Sequence, residues 1–292
     1  MSRHPLLLLW LTGLLVLGGC ASQEEKILSD REYYEKAKTA MDTRNFLEAA
    51  RYLEALETYH PFGRYAEQAQ LDLIYAKYNS LDLPGASLAA DRFIRLHPDS
   101  PHVDYAYYVK GLAAYYENVS LGQRIFPVDV SRRDPGSARE AFTLFSELVT
   151  RFPKSAYAPD ARQRMQYIKN RMAAYELAAA RYYIRREAFL AAAERGKYVV
   201  EHFPGTPAVP DALAIMVECY RKLGMEEQAT DALAVLAGNF PNHRSLNADL
   251  SFRGGEIKPP DAACSPSSAP RPGRSDRASP RQSPSAQPEV IG

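Results

Sequence analysis

Ala86-Ser87-Leu88-Ala89-Ala90-Asp91-Arg92-Phe93-Ile94-Arg95-Leu96-His97-Pro98 holds the pattern that decides the fold. An alanine stands twelve residues before a proline, a large apolar residue five before it, and a histidine or phenylalanine directly before it. The arrangement recurs as Ala49, Leu56 and His60-Pro61, as Ala141, Leu148 and Phe152-Pro153, as Ala192, Val199 and Phe203-Pro204, and as Ala229, Leu236 and Phe240-Pro241. Twelve residues make a little over three helical turns, so each copy marks one helix of fixed length. The proline ends it, because it lacks an amide donor and disfavours helix in the residue before it. A small side chain at one register position points to closely crossing helices. The position eight before the proline (Leu53, Ala90, Phe145, Gly196, Leu233) falls mostly on the same apolar face.

Eight residues after the first four prolines comes a second alanine, Ala69, Ala106, Ala161 and Ala212, which marks the next helix. Successive prolines stand 37, 55, 51 and 37 residues apart. The tetratricopeptide period is about 34. The first enlargement falls between Tyr115 and Pro135 and reads as an inserted loop, with Gly122, Pro127 and the run Ser131-Arg132-Arg133-Asp134. The second falls around Met172 to Arg186, has neither proline nor glycine, and reads as a lengthened helix. The expected fold is all-α: a superhelical stack of about five tetratricopeptide-like helix pairs over residues 30–253, with repeats near 30–62, 63–99, 100–154, 155–205 and 206–242. Such an array offers surface rather than a catalytic cleft.

Outside the repeats lie two segments of different chemistry. Arg3 precedes an apolar run from Leu6 to Leu17 that ends in Leu17-Gly18-Gly19-Cys20. A positive start, a short apolar stretch and small residues before a cut make residues 1–19 a secretory signal. The run is too short for a good membrane span. Its end resembles the bacterial lipobox, so Cys20 is the expected lipidation site, heading a linker over 20–29. Ala21 and Ser22, where an Asp would retain the protein in the inner membrane, favour the outer membrane. Residues 254–292 are dominated by Pro, Ser and Arg and are expected to form a disordered tail, passive or in weak contact with anionic surfaces.

The chain has 292 residues, 46% hydrophobic and 24% charged, enough for a solid core. A net charge of +1 gives no electrostatic pointer to nucleic acid. With Cys20 lipidated, Cys219 and Cys264 remain. Cys219 reads as a small buried hydrophobe, and a Cys219–Cys264 bridge stays open in an oxidising compartment. The sequence contains no Gly-rich phosphate loop, nucleophile elbow, H-E-x-x-H or C-x-x-C. The scattered histidines, with His60, His97 and His202 at or beside repeat ends, read as capping or packing groups. No metal, cofactor or enzymatic activity is expected.

Nineteen tyrosines against a single tryptophan are the remaining signal. Most must pack between helices, but tyrosine also serves at recognition surfaces. The lengthened helix combines Tyr175, Tyr182, Tyr183, Arg181, Arg185 and Arg186, faced by Arg195, and is the candidate docking face.

Over Cys20 to about Asn239 the chain resembles the BamD (ComL) family, tetratricopeptide lipoproteins of the outer-membrane β-barrel assembly machine. The resemblance is carried by 59–65 (YHPFGRY), 70–76 (QLDLIYA), 91–98 (DRFIRLHP), 104–108 (DYAYY), Lys110-Gly111-Leu112, and Asp129, Ser131, Arg133 and Asp134. Val130 and Arg132 depart from the family's run in the insertion. The resemblance implies a non-enzymatic scaffold whose C-terminal repeats dock a POTRA domain of BamA. Tyr175 and Arg195 match positions at that contact. The N-terminal repeats would recognise unfolded β-barrel precursors, here through Tyr59, Phe62 and Tyr65, and other Bam lipoproteins would bind the flanks. The competing readings are a cell-wall-associated tetratricopeptide lipoprotein that organises envelope or division proteins, and an envelope enzyme.

Overall fold

A computed structural model describes residues 27–117 and 136–254. The signal, Cys20, the 118–135 insertion, Cys264 and the tail lie outside the described residues. Among the described residues ten α-helices follow one another: α1 (Asp30–Asp42), α2 (Phe46–Tyr59), α3 (Ala66–Asn79), α4 (Leu83–Leu96), α5 (Val103–Glu117), α6 (Gly136–Arg151), α7 (Ala158–Arg185), α8 (Phe189–His202), α9 (Val209–Lys222) and α10 (Glu226–Asn239). Each packs on the helix before and the helix after it. In addition α3 touches α5, and α7 touches α9, as one helix pair stacks on the next. Among the described residues the only extended pairing is a bridge between Leu246 and Phe252.

The repeat pattern is the core pattern. Ala49, Ala86, Ala141, Ala192 and Ala229 are buried, as are Leu56, Phe93, Leu148, Val199 and Leu236 and the second alanines Ala69, Ala106, Ala161 and Ala212. The residue before each proline closes its helix by donating its N–H to the carbonyl of that same large apolar residue, at 2.8–2.9 Å in all five copies. Two successive turns then aim the chain into the next helix, for example Gly63 N–H to His60 O and Ala66 N–H to Gly63 O. Gly196, on the apolar face of α8, has a separate reason to be small. A Cβ there would stand 2.9 Å from the Ala212 carbonyl oxygen on α9.

The short turns inside the helix pairs were not legible in advance. Arg44, Leu81, Glu187 and Gly224 each lie seventeen residues before a repeat proline, and all four adopt positive φ, between 58° and 72°. Only one is a glycine, the residue that suffers no strain there. The next residue caps the second helix where it can: Asn45 accepts from Glu48 N–H, and Asp82 from Gly85 N–H.

The helix α7 runs for 28 residues, twice the length of its neighbours α8 and α9. Its first half, with Ala161 and Ile168, belongs to the core built by α3–α6. Its second half, with Ala173, Leu177 and Ala180, belongs to the core shared with α8–α10. The lengthening inferred from the absence of Pro and Gly is therefore one continuous rod between two cores. After α10 the double turn forms again through His243, but no helix follows among the described residues. Leu246 and Phe252 instead fold over α9 and α10 and cover the last apolar face. Cys219 is fully buried and free. Burial pushes its thiol up to about 12.

Candidate functional site

The C-terminal candidate face splits along helical stripes. Tyr175 and Tyr182, seven residues apart on α7, share one side of the rod. Tyr182 is exposed, with the Arg185 and Arg186 guanidinium groups 5.9 and 5.5 Å from its ring centre. Glu176 and Tyr183 form the adjacent stripe and meet α8. There Arg195 donates to Glu176 Oε2 at 2.7 Å and lies 6.0 Å from the Tyr183 ring. The Glu176 side chain is only 4% exposed and that of Arg195 43%. The hydrogen bond to Glu176 holds the Arg195 guanidinium above its ordinary range. Arg195 therefore supports the fold as well as presenting a surface.

Arg181 corrects the sequence reading. It was expected on the same face, but it turns to α9 and donates to Asp211 Oδ2 at 2.9 Å. Asp211 also accepts from Arg244 at 3.0 Å and meets His243 at 3.2 Å. Burial pushes the Asp211 carboxyl up. The His243 hydrogen bond and the Arg244 and Arg181 charges outweigh burial and leave it below the usual carboxylate range. The node ties the far end of α7 to the segment that closes the array.

At the other end, Tyr33 and Tyr34 of α1 separate the second candidate trio. Tyr59 stacks on Tyr33 with ring centres 6.1 Å apart, and Tyr65 stacks on Tyr34 at 4.8 Å. Tyr34 donates its hydroxyl to Asp72 Oδ2 at 3.1 Å, and Gln68 donates to Oδ1 at 3.0 Å. These residues line a recess of about 220 Å³ between α1 and α3, with Lys38, Met41, Asp42 and Tyr75. Burial pushes the Asp72 carboxyl up to about 6, against the two hydrogen bonds and the Lys38 charge. Phe62 packs in neither stack and is 99% exposed at the tip of the α2–α3 turn.

A third polar cluster went unseen in the sequence. Arg164 of α7 is fully buried, donates to Asp160 and to the Tyr116 hydroxyl, and lies over the Tyr115 and Tyr116 rings. Tyr108 donates to the same Asp160 at 2.8 Å. This explains part of the tyrosine abundance: the rings bury area between helices while their hydroxyls satisfy interior charges. Among the described residues, no group of three or more His, Cys, Asp and Glu is arranged to hold a metal. The histidines at repeat ends do pack and cap. His60 meets the Leu28 carbonyl at 2.8 Å, His97 meets Gln70 at 3.0 Å, and His202 stacks on Tyr198.

The family described as YfiO, outer membrane lipoprotein, matches residues 27–236. The chain is 38% identical over 235 residues to the outer membrane protein assembly factor BamD of Neisseria meningitidis, covering 78% of this chain and 88% of that one. It belongs to the BamD family. The BamD of Vibrio cholerae is 39% identical over 228 residues, 76% of this chain and 93% of its own length. That of Xylella fastidiosa is 34% identical over 246 residues, 83% and 84% of the two chains. The matched residues include both candidate surfaces, so the BamD-family chain carries its Tyr/Arg face and its first-repeat tyrosines inside the shared region. No helix among the described residues is long and apolar enough to cross a membrane.

Proposed function

We propose that this chain is a non-enzymatic lipoprotein scaffold of the outer-membrane protein assembly complex. Lipid on Cys20 holds it to the periplasmic face of the outer membrane. One acyl chain gives only marginal binding, so stable anchoring needs more than one. The C-terminal repeats dock the POTRA domain of BamA through Tyr175, Tyr182, Tyr183 and Arg195, and other Bam lipoproteins bind the flanks. Unfolded β-barrel precursors are received at the first repeat, where Tyr59 and Tyr65 flank the Tyr33–Tyr34 pair. The observation that carries the reading is family membership across residues 27–236, in an array whose two ends present separate aromatic surfaces.

The chemistry is recognition, and no bond is made or broken. Exposed Tyr182 beneath two guanidinium groups suits a partner edge rich in carboxylates or backbone carbonyls. The Tyr34–Asp72–Gln68 recess offers polar atoms beside stacked rings, which suits an extended segment that carries an aromatic side chain. Mild detergent extraction of the lipidated chain, followed by identification of the co-purifying membrane proteins, tests the proposal. BamA is expected in the eluate. Its absence, with capture on isolated cell-wall sacculi instead, would favour the envelope-organiser reading.

A further inference from the structure

The first-repeat edge brings together apolar groups that the described residues leave exposed. Ile27 is 58% exposed, Tyr59 49% and Phe62 99%. Two contacts fix them in one place. His60 Nε2 meets the Leu28 carbonyl at 2.8 Å. Gly63 lies so close to α1 that an added Cβ would stand 3.2 Å from Asp30 Oδ2. The start of the described chain and the α2–α3 turn therefore share one edge, and Phe62 points off its tip. Arg31 and Arg64 are exposed on the same edge. Arg31 Nε donates to Glu35 Oε1 at 2.7 Å, Glu32 accepts from the Ser29 backbone and hydroxyl, and Asp30 accepts from the Arg31 N–H.

We infer that this edge rests on the bilayer, with Phe62 and Ile27 in the headgroup and upper acyl region and Arg64 near lipid phosphates. The inference rests on Cys20 being the lipid anchor. Ile27 stands seven positions after Cys20, a reach of at most about 25 Å at 3.3–3.6 Å per residue. A tether that short keeps Ile27 within about 25 Å of the surface, with the turn bearing Phe62 beside it. A phenylalanine held free of its own protein beside a membrane lowers its free energy by entering the interface, and an arginine beside it complements anionic headgroups. The anchored edge then sets the tilt of the array, and the Tyr182 face at the opposite end hangs into the periplasm.

The one tryptophan of the sequence, Trp10, lies ahead of Cys20. A tryptophan placed at position 62 is thus the only one in a chain that starts at Cys20. The lipidated F62W variant and a lipidated L190W control, whose site is exposed on α8, are reconstituted in vesicles of phosphatidylethanolamine and phosphatidylglycerol with brominated acyl chains. F62W emission is expected to shift to the blue and to be quenched severalfold more than that of L190W. Flotation with the vesicles but unquenched F62W emission overturns the inference and leaves the anchor intact. Failure to float removes anchor and contact together. Equal quenching at both positions overturns it as well, because the array would then lie flat. Burial of the F62W side chain by an unfolded barrel-precursor peptide without vesicles, and not by lipid, would assign Phe62 to the precursor instead.

Discussion

Arg195 holds Glu176 in place and is the residue proposed to dock a partner, and a paired substitution separates the two where a single one cannot. Its guanidinium is the 2.7 Å partner of Glu176, a carboxylate with 4% of its side chain exposed. Arg195→Ala leaves that charge inside the α7–α8 contact. Removing one partner of a buried pair costs about 3–5 kcal/mol. Arg195 is itself 43% exposed, which places the expected loss at the low end, about 3 kcal/mol, with roughly 0.5 kcal/mol more for the cation lost above Tyr183. Replacing both partners by apolar residues of similar volume, Glu176→Leu with Arg195→Met, is expected to return stability to within about 1 kcal/mol of the parent. Urea unfolding followed by circular dichroism measures the first effect, and co-purification with the BamA POTRA domain measures the second. If Arg195 touches the partner, the stable double variant still fails to bind. If it acts only by holding Glu176, the double variant binds like the parent. An unchanged urea midpoint for Arg195→Ala would refute the coupling itself. The charge reversal Arg195→Glu is a poor probe, because it sets a second carboxylate beside Glu176 and confounds folding with docking.

Three further outcomes follow from the geometry. Folding favours the neutral form of Asp72, so that contribution is complete below the ordinary carboxylate range and is lost as pH rises through about 6. Asp72→Asn is therefore expected to gain on the parent between about pH 4 and pH 7, by up to about 3 kcal/mol for a shift of about two pKa units. A pH-independent difference in thermal midpoints would contradict this. Gly196→Ala is expected to destabilise by about 1–2 kcal/mol, since its Cβ meets the Ala212 carbonyl oxygen at 2.9 Å and outweighs the helix-propensity gain. Gly238→Ala in α10, with nothing within 4 Å, should stabilise by about 0.5 kcal/mol. Equal shifts in urea midpoint would sink that contrast. Leu81→Gly should raise the midpoint by relieving a left-handed backbone at an exposed leucine, roughly 0.5–1 kcal/mol after the entropy cost of glycine; a lower midpoint would show that Leu81 makes contacts worth more than the strain.

Much of the fold was legible because its signals are local and repeated. Ala86, Phe93 and His97-Pro98 state a helix, its buried stripe and its end within thirteen residues, and four other copies say the same. The lengthening of α7 was readable as a proline- and glycine-free stretch. The turns at Arg44, Leu81 and Glu187 were not, because packing forces a left-handed backbone on residues whose side chains give no hint of it. The candidate surfaces were legible as residue types but not as directions. Arg181 and Tyr182 are neighbours in sequence, and 100° of helical rotation sends one inward to Asp211 and leaves the other in solvent. Nothing local in Arg164 or Asp72 announces burial. Beyond Asp160 and Gln68 on their own helices, their partners lie on other helices, at separations of 48 residues for Tyr116 and 38 for Tyr34.

The uninterrupted rod α7 has a mechanical consequence. At 1.5 Å per residue, its 28 residues extend about 42 Å and belong to both halves of the array at once. Solenoids ordinarily unzip module by module, because each unit answers only to its neighbours. Here neither half can fray away from the other without melting a shared axle. Amide protons along the centre of that axle should exchange with deuterium only when the whole assembly opens, whereas α1 and α10 exchange through fraying of their own. A torque applied at either extremity is delivered to the other as rotation of a stiff shaft, not absorbed at a hinge.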